Sequence, residues 1–145
     1  MPAIDAGRRI LVVDDDKAVL ELVSTRLTLA GYNVFGARNG HEGLSRLSSL
    51  RPSALVLDLN MPSLDGFGVL QRMGIETTAR IPTLVLTASR GSADVQRAIK
   101  LGARDDLTKP FKDSNLLLRV ARLFRRPADR QSLEQTLNSL DHMLD

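Results

Sequence analysis

Short unbroken apolar runs alternate along this chain with stretches in which apolar residues recur every three or four positions. Arg9–Val13, RILVV, reads as a buried strand. From Lys17 to Ala30 the apolar residues fall at Val19, Leu20, Val23, Leu27 and Ala30, the spacing of one helix face. Asp16 stands where an N-cap belongs, and Gly31 stands just past the last turn, where a left-handed residue ends many helices. YNVFGA (32–37) reads as a second strand. Asn39 then caps a helix with Leu44, Leu47 and Leu50 on one face, stopped by Pro52. ALVLD (54–58) is a third, fully apolar strand, and DGFGVLQRM gives a short helix starting near Asp65. IPTLVLTA (81–88) is a fourth strand, and Ser92–Leu101 a fourth helix stopped by Gly102. ARDDL (103–107) predicts a short, weak fifth strand, followed by a helix over Asp113–Phe124 that Pro127 ends.

Five strand–helix repeats within roughly 120 residues suit one α/β domain. The continuous apolar runs in strands one, three and four require cover on both sheet faces, which a parallel sheet flanked by helices supplies. The expected fold is therefore a doubly wound five-stranded parallel sheet in the flavodoxin-like order 2-1-3-4-5, over residues 8–125. Residues 126–145 form a separate helical extension or connector. Its leucines, Leu133, Leu137, Leu140 and Leu144, step by four, three and four. That spacing fits an amphipathic helix laid on its own domain. It equally fits the start of a dimerising coil, over too few heptads to stand alone.

Composition narrows the function. Of 145 residues, 43% are hydrophobic and 26% charged, ordinary for a globular domain. The lack of cysteine excludes disulfides and thiolate metal sites. No apolar run approaches a membrane span, and no signal peptide precedes the first strand, so the expected compartment is the cytoplasm. Net charge is +3, and the only basic stripe is Arg119, Arg122, Arg125, Arg126 and Arg130, read as a solvated helix face. With one Tyr, four Phe and no Trp, nucleic-acid binding by this chain alone is not expected. His41 and His142 are isolated and read as surface residues.

The candidate chemistry sits where strands end. In an open parallel sheet all carboxyl ends lie along one edge, and ligands bind there. The first strand ends in Asp14, Asp15 and Asp16, the third in Asp58 and the fourth in Thr87, while Lys109–Pro110 follows the fifth. Strands one and three are neighbours in the order 2-1-3-4-5, so Asp14, Asp15 and Asp58 converge. Two such charges about 4 Å apart repel by roughly 4 kcal/mol at an effective dielectric of about 20. A hard divalent cation relieves this, and oxygen-only ligands with room for water suit Mg²⁺. Asp58 is then a candidate nucleophile able to form an aspartyl-phosphate, with Lys109 and Thr87 taking phosphoryl oxygens. Each residue alone has a bland alternative: loop acid, cap, turn residue or surface lysine. Their joint placement on one edge is what points to chemistry.

The motifs VVDDD, LVLDLNMPSLDGFGVL, PTLVLTAS and GARDDLTKPF, together covering about residues 8–125, resemble the receiver domain of two-component response regulators. The resemblance implies that Asp58 is the phosphoacceptor, loaded by a histidine kinase or a histidine phosphotransfer protein. It implies that Asp14 and Asp15 hold Mg²⁺, with Asp15 the direct ligand, and that Asn60 offers a backbone carbonyl to the metal. Thr87 and Lys109 take the places of the switch threonine and the phosphate-binding lysine, and Lys109–Pro110 that of the family's cis peptide. Such a protein is not an enzyme beyond its own phosphorylation and slow dephosphorylation. It switches the face of its fourth and fifth helices, through which a homodimer, extended by the C-terminal helix, is expected.

One residue departs from the pattern. Asp106 stands where the family carries an aromatic ring, and a carboxylate does not enter an apolar slot cheaply. This leaves a degenerate receiver, acting only as a binding module, as the alternative. A Mg²⁺-dependent phosphatase with an Asp nucleophile, similar to haloacid dehalogenase-type enzymes, needs a second Asp two residues after the first. Asn60 stands there instead.

Overall fold

The computed structural model describes residues 7–88 and 91–125. Five strands alternate with five helices: β1 (Arg9–Val13), α1 (Lys17–Leu29), β2 (Asn33–Ala37), α2 (Gly40–Leu50), β3 (Ala54–Asp58), α3 (Gly66–Arg80), β4 (Thr83–Thr87), α4 (Ser92–Lys100), β5 (Asp105–Thr108) and α5 (Asp113–Leu123). The strands form one parallel sheet in the order β2-β1-β3-β4-β5. This is the expected doubly wound arrangement.

The apolar runs are buried because both faces of the sheet are covered. Alternate residues of β1, β3 and β4 point to opposite sides. Leu11, Leu55, Leu57 and Val85 pack with Leu47 of α2, Phe67 and Leu70 of α3 and Ala98 of α4. Ile10, Val12, Val56, Leu84 and Leu86 pack on the other side with Val23 and Leu27 of α1 and Leu116 and Val120 of α5. Each such side chain, taken fully from water, contributes about 1.5–3 kcal/mol. Parallel registers then bring the strand ends level: Val13 lies opposite Leu57, Asp58 opposite Leu86, and Thr87 opposite Thr108.

Helix starts follow the expected caps. The Asp16 carboxylate accepts hydrogen bonds from the N–H groups of Ala18 and Val19, and the Asn39 side chain accepts one from Glu42. Asp65 does the same for Gly68. Gly31 and Gly102 both hold positive φ immediately beyond α1 and α4.

Two elements differ from expectation. The third helix does not end at Met73. Gly74 interrupts it with φ 79° and ψ 162°, and a second helical segment continues to Arg80. The IETTAR stretch lacks an apolar stripe, so nothing in its periodicity announces a helix. Gly74 supplies a backbone conformation that other residues rarely adopt. The fifth strand begins at Asp105 and runs to Thr108, because pairing with Leu84–Thr87 of β4 sets its limits. The proposed extension 126–145, with Arg126, Pro127, Arg130 and His142, lies outside the described residues.

Candidate functional site

Backbone bonds fix the acids at the carboxyl edge. Just beyond β1, the N–H of Asp14 donates to the carbonyl of Ala37 in β2 at 3.1 Å. The Asp14 side chain is fully buried, and its Oδ1 accepts from the N–H of Asp16 at 2.9 Å. Asp15 is half-buried between them and the solvent. Asp58 closes β3, and its Oδ1 accepts from the N–H of Asn60 at 3.1 Å. The loop returns tightly over it. Gly66 donates to the Leu59 carbonyl, and a Cβ added at Gly66 would lie 2.5 Å from the Asp58 carbonyl oxygen. That position therefore requires glycine, for space and not for its dihedral angles.

Lys109 enters from beyond β5. Its N–H donates to the Thr87 carbonyl at 2.7 Å, and the Lys109–Pro110 peptide is cis. Its Nζ lies 2.9 Å from Asp14 Oδ2 and 3.4 Å from Asp58 Oδ1. One ammonium thus bridges carboxylates from two strands. Thr87 ends β4 and is fully buried. Asn60 is tied in twice. Its N–H holds Asp58, and its side-chain oxygen lies 3.5 Å from the N–H of Ala88, across the mouth of the site.

One carboxylate oxygen from each of Asp14, Asp15 and Asp58 lies within 4.8 Å of the others. Burial pushes the Asp58 carboxyl up to about 7. The Asn60 N–H opposes this, the Asp14 charge adds to it, and Lys109 opposes it again. Burial also works against the Lys109 ammonium, but its contacts with Asp14 and Asp58 outweigh that and raise its pKa. Three carboxylates against one ammonium leave an excess of negative charge in a mostly buried place. Donors that are all oxygen, with the half-buried Asp15 on the solvent side, fit a hard divalent cation.

The structure thus brings Asp14, Asp15, Asp58 and Lys109 together, with Asn60 and Thr87 on the adjoining loop and strand. Asp106 is not at this site. It pairs with Val85 in the ladder and is half-buried, on the sheet side that carries α4. The arginine stripe is not simply a solvated face either. Arg119 Nη1 reaches the Asp105 carboxylate at 2.8 Å and the Asp106 carbonyl at 3.0 Å, clamping α5 to β5. The expected surface position of His41 holds. Sequence reasoning missed Gly66 and the double role of Asn60. The only signal for the first was the glycine of LDGFG itself.

Comparison with known proteins accounts for this arrangement. Residues 10–121 match the family model described as the response regulator receiver domain. The chain belongs to the response regulator receiver domain family. The receiver is 45% identical over 119 residues to the DNA-binding dual master transcriptional regulator RpaA of Synechocystis, covering 81% of this chain and 49% of the relative. It is 42% identical over 135 residues to the response regulator MprA of Mycobacterium avium, covering 91% and 59%. The chain spans about half the length of the curated relatives it matches. Among solved structures, the receiver is similar to the chemotaxis protein CheY4 of Vibrio cholerae, with a TM-score of 0.77 and 31% identity over 82% of this chain and all of that one. It also resembles a signal receiver domain from Bermanella marisrubri, with a TM-score of 0.74 and 36% identity over 82% and 99%. Among the described residues no helix is long and apolar enough to cross a membrane.

Proposed function

We propose that this receiver accepts a phosphoryl group on Asp58 from a phosphohistidine donor, a histidine kinase or histidine phosphotransfer protein. The observation that carries the reading is the convergence of Asp14, Asp15 and Asp58 around one point with Lys109 across it. An Asp58 oxygen attacks phosphorus, the donor's P–N bond breaks, and the imidazole leaves with the electron pair and takes up a proton. The product is an acyl phosphate. Mg²⁺, when held by Asp14, Asp15, Asp58 and the Asn60 carbonyl, supplies positive charge to the phosphoryl oxygens. Lys109 already lies near Asp58 and supplies a second positive group. Thr87 donates its hydroxyl to a third oxygen. Burial holds the Asp58 carboxyl near 7, so the ionised form that would attack phosphorus would be favoured if the three acids held a cation.

Phosphorylation then shifts a two-state equilibrium that is read on the α4/α5 face, with residues 8–125 as the switching unit and 126–145 as its extension. Homodimerisation through that face is the output this reading favours.

Incubation of the full chain with acetyl phosphate and Mg²⁺ tests the chemistry. Intact-mass spectrometry should show one added phosphoryl group, mapped to Asp58 and absent without the metal. No gain, under conditions that load a control receiver, returns the domain to a phosphorylation-independent binding module, the reading that Asp106 favours. Catalytic turnover of a phosphate monoester would indicate a phosphatase.

A further inference from the structure

At the edge of the sheet opposite the acids, the C-terminal end of α4 is bound into the domain from three sides. Beyond its last turn the Gly102 N–H donates to the Ile99 carbonyl and the Ala103 N–H to the Ala98 carbonyl, each at 3.0 Å. These two bonds close the helix end on itself. The next N–H, of Arg104, donates to the Thr83 carbonyl at 2.9 Å and ties the turn to the start of β4. The third side is α3. Gly74 breaks that helix, and the segment after it places Thr78 directly against Gly102. Thr78 is 2% exposed, and its Oγ1 donates to the Ile75 carbonyl at 3.0 Å, which holds its side chain in one direction. A Cβ added at Gly102 would collide with that oxygen. With φ at 113° as well, position 102 requires glycine both for space and for its dihedral angle.

The other end of α4 has no comparable hold. No side chain caps it at Gly91, and it starts a few residues after Thr87, beside the acids. Between the ends, Ala98 is buried close to Gly102, and Arg97 reaches the Phe67 ring through a long side chain that can follow a moving helix. We propose, on the reading that phosphorylation is felt on the α4/α5 face, that α4 swings about Gly102 with Thr78 as its bearing. The segment of α3 beyond Gly74 then belongs to the switch. It fixes one end of α4, so that a displacement near Thr87 becomes a change of angle and not a slide of the whole helix. At about 1.5 Å per residue, Ala93 stands about 13 Å along the helix from Gly102, and Lys100 about 3 Å. A swing that moves Ala93 by about 3 Å therefore moves Lys100 by under about 1 Å.

The full chain has no cysteine, so pairs of nitroxide labels can be placed without background. Ala93→Cys and Lys100→Cys, both at exposed positions, are each paired in turn with the exposed Ser48→Cys on α2 and Glu21→Cys on α1. Pulsed electron paramagnetic resonance measures the distances before and after acetyl phosphate with Mg²⁺. At least one Ala93 distance should shift by about 3 Å, and both Lys100 distances by under about 1 Å. Equal shifts at the two positions, or none at either, overturn the swing. Thr78→Ala removes the oxygen that touches Gly102, and Thr78→Ser keeps it. In the alanine variant the Lys100 distances should shift about as far as the Ala93 distances, while the serine variant should behave as wild type. Lys100 distances as steady in Thr78→Ala as in wild type leave Thr78 a packing residue and overturn its role as bearing. If Asp58 takes up no phosphoryl group, the reading of the acid site fails, and the resting protein still decides the pivot. There Thr78→Ala should broaden the Lys100 distance distributions about twofold, and unchanged widths overturn the proposal.

Discussion

The two flanks of the sheet's carboxyl edge are built differently. On the β1/β3 flank the two buried acids are held by backbone and by an opposite charge. Asp14 is bound by the Asp16 N–H and Lys109, Asp58 by the Asn60 N–H and Lys109, and Gly66 packs directly against the Asp58 carbonyl. On the α4 flank the hold is slight. α4 has no side-chain cap at Gly91, Ala98 is its one fully buried residue among those described, and Ile99 stays 48% exposed. One side-chain tie is the Arg97 guanidinium, 4.1 Å above the Phe67 ring. Chemistry needs donors fixed to within fractions of an ångström, whereas a switch needs an element that moves for little energy. In the proposed function the first demand falls on one flank and the second on the other.

The largest effect expected from breaking the rigid flank is at its proposed nucleophile. Asp58→Asn keeps the shape and removes the attacking oxygen, so phosphoryl uptake from acetyl phosphate should fall by at least about 100-fold in intact-mass time courses. If uptake persists at another acid, the flank is chemically less defined than its geometry. Next in size is Lys109→Met. It leaves the Asp14 and Asp58 carboxylates facing each other without their shared ammonium. Uptake should slow by about 10-fold or more. The metal-free protein should lose about 1–3 kcal/mol in urea melts, less than a fully buried pair because the lysine side chain keeps 20% exposure. Saturating Mg²⁺ should recover part of that stability but not the rate.

The raised Asp58 carboxyl gives a pH signature. In the folded metal-free protein the group holds its proton up to about 7, while the unfolded chain releases it near 3.8. The folded state therefore binds the extra proton between these values, and stability falls as pH rises through that window. Asp58→Asn has no such proton. Its Tm relative to wild type should be higher by on the order of 10–15 °C at pH 8 than at pH 4, because a carboxyl moved from 3.8 to about 7 contributes roughly 4 kcal/mol over that window. Added Mg²⁺ should shrink the pH 8 difference. A gap independent of both pH and metal would mean that burial does not govern Asp58.

The rigid flank was also the legible one. Its strands are unbroken apolar runs, and its acids directly follow them, so topology alone converges Asp14, Asp15 and Asp58. Caps such as Asp16 and Asn39 were readable because a short polar side chain before a helical stripe has few other uses. What stayed hidden depends on tertiary contact. The need for glycine at 66 arises from the Asp58 carbonyl beside it, and the pairing of Arg119 with Asp105 depends on where α5 docks. The segment after Gly74 carries no periodic apolar signal, so its helix was invisible. Local pattern records what a residue does for its own element and little of what it does for a distant one.

The smallest effect should come from the loose flank. Arg97→Ala removes the guanidinium from the Phe67 ring, a contact worth about 0.5–1 kcal/mol at a partly exposed site. Hydrogen exchange in Ser92–Lys100 should quicken several-fold, since local opening of α4 has few other contacts to break. Initial uptake at Asp58 should stay within about twofold of wild type, because no backbone bond that positions Asp14, Asp58 or Lys109 comes from α4. Were uptake to fall in step with α4 exchange, the flanks would share one cooperative unit, and the division between a fixed chemical half and a mobile reporting half would be lost. Were exchange in α4 unchanged, Arg97 would not be its tether, and the helix would owe its place to Ala98 and the strand beneath it.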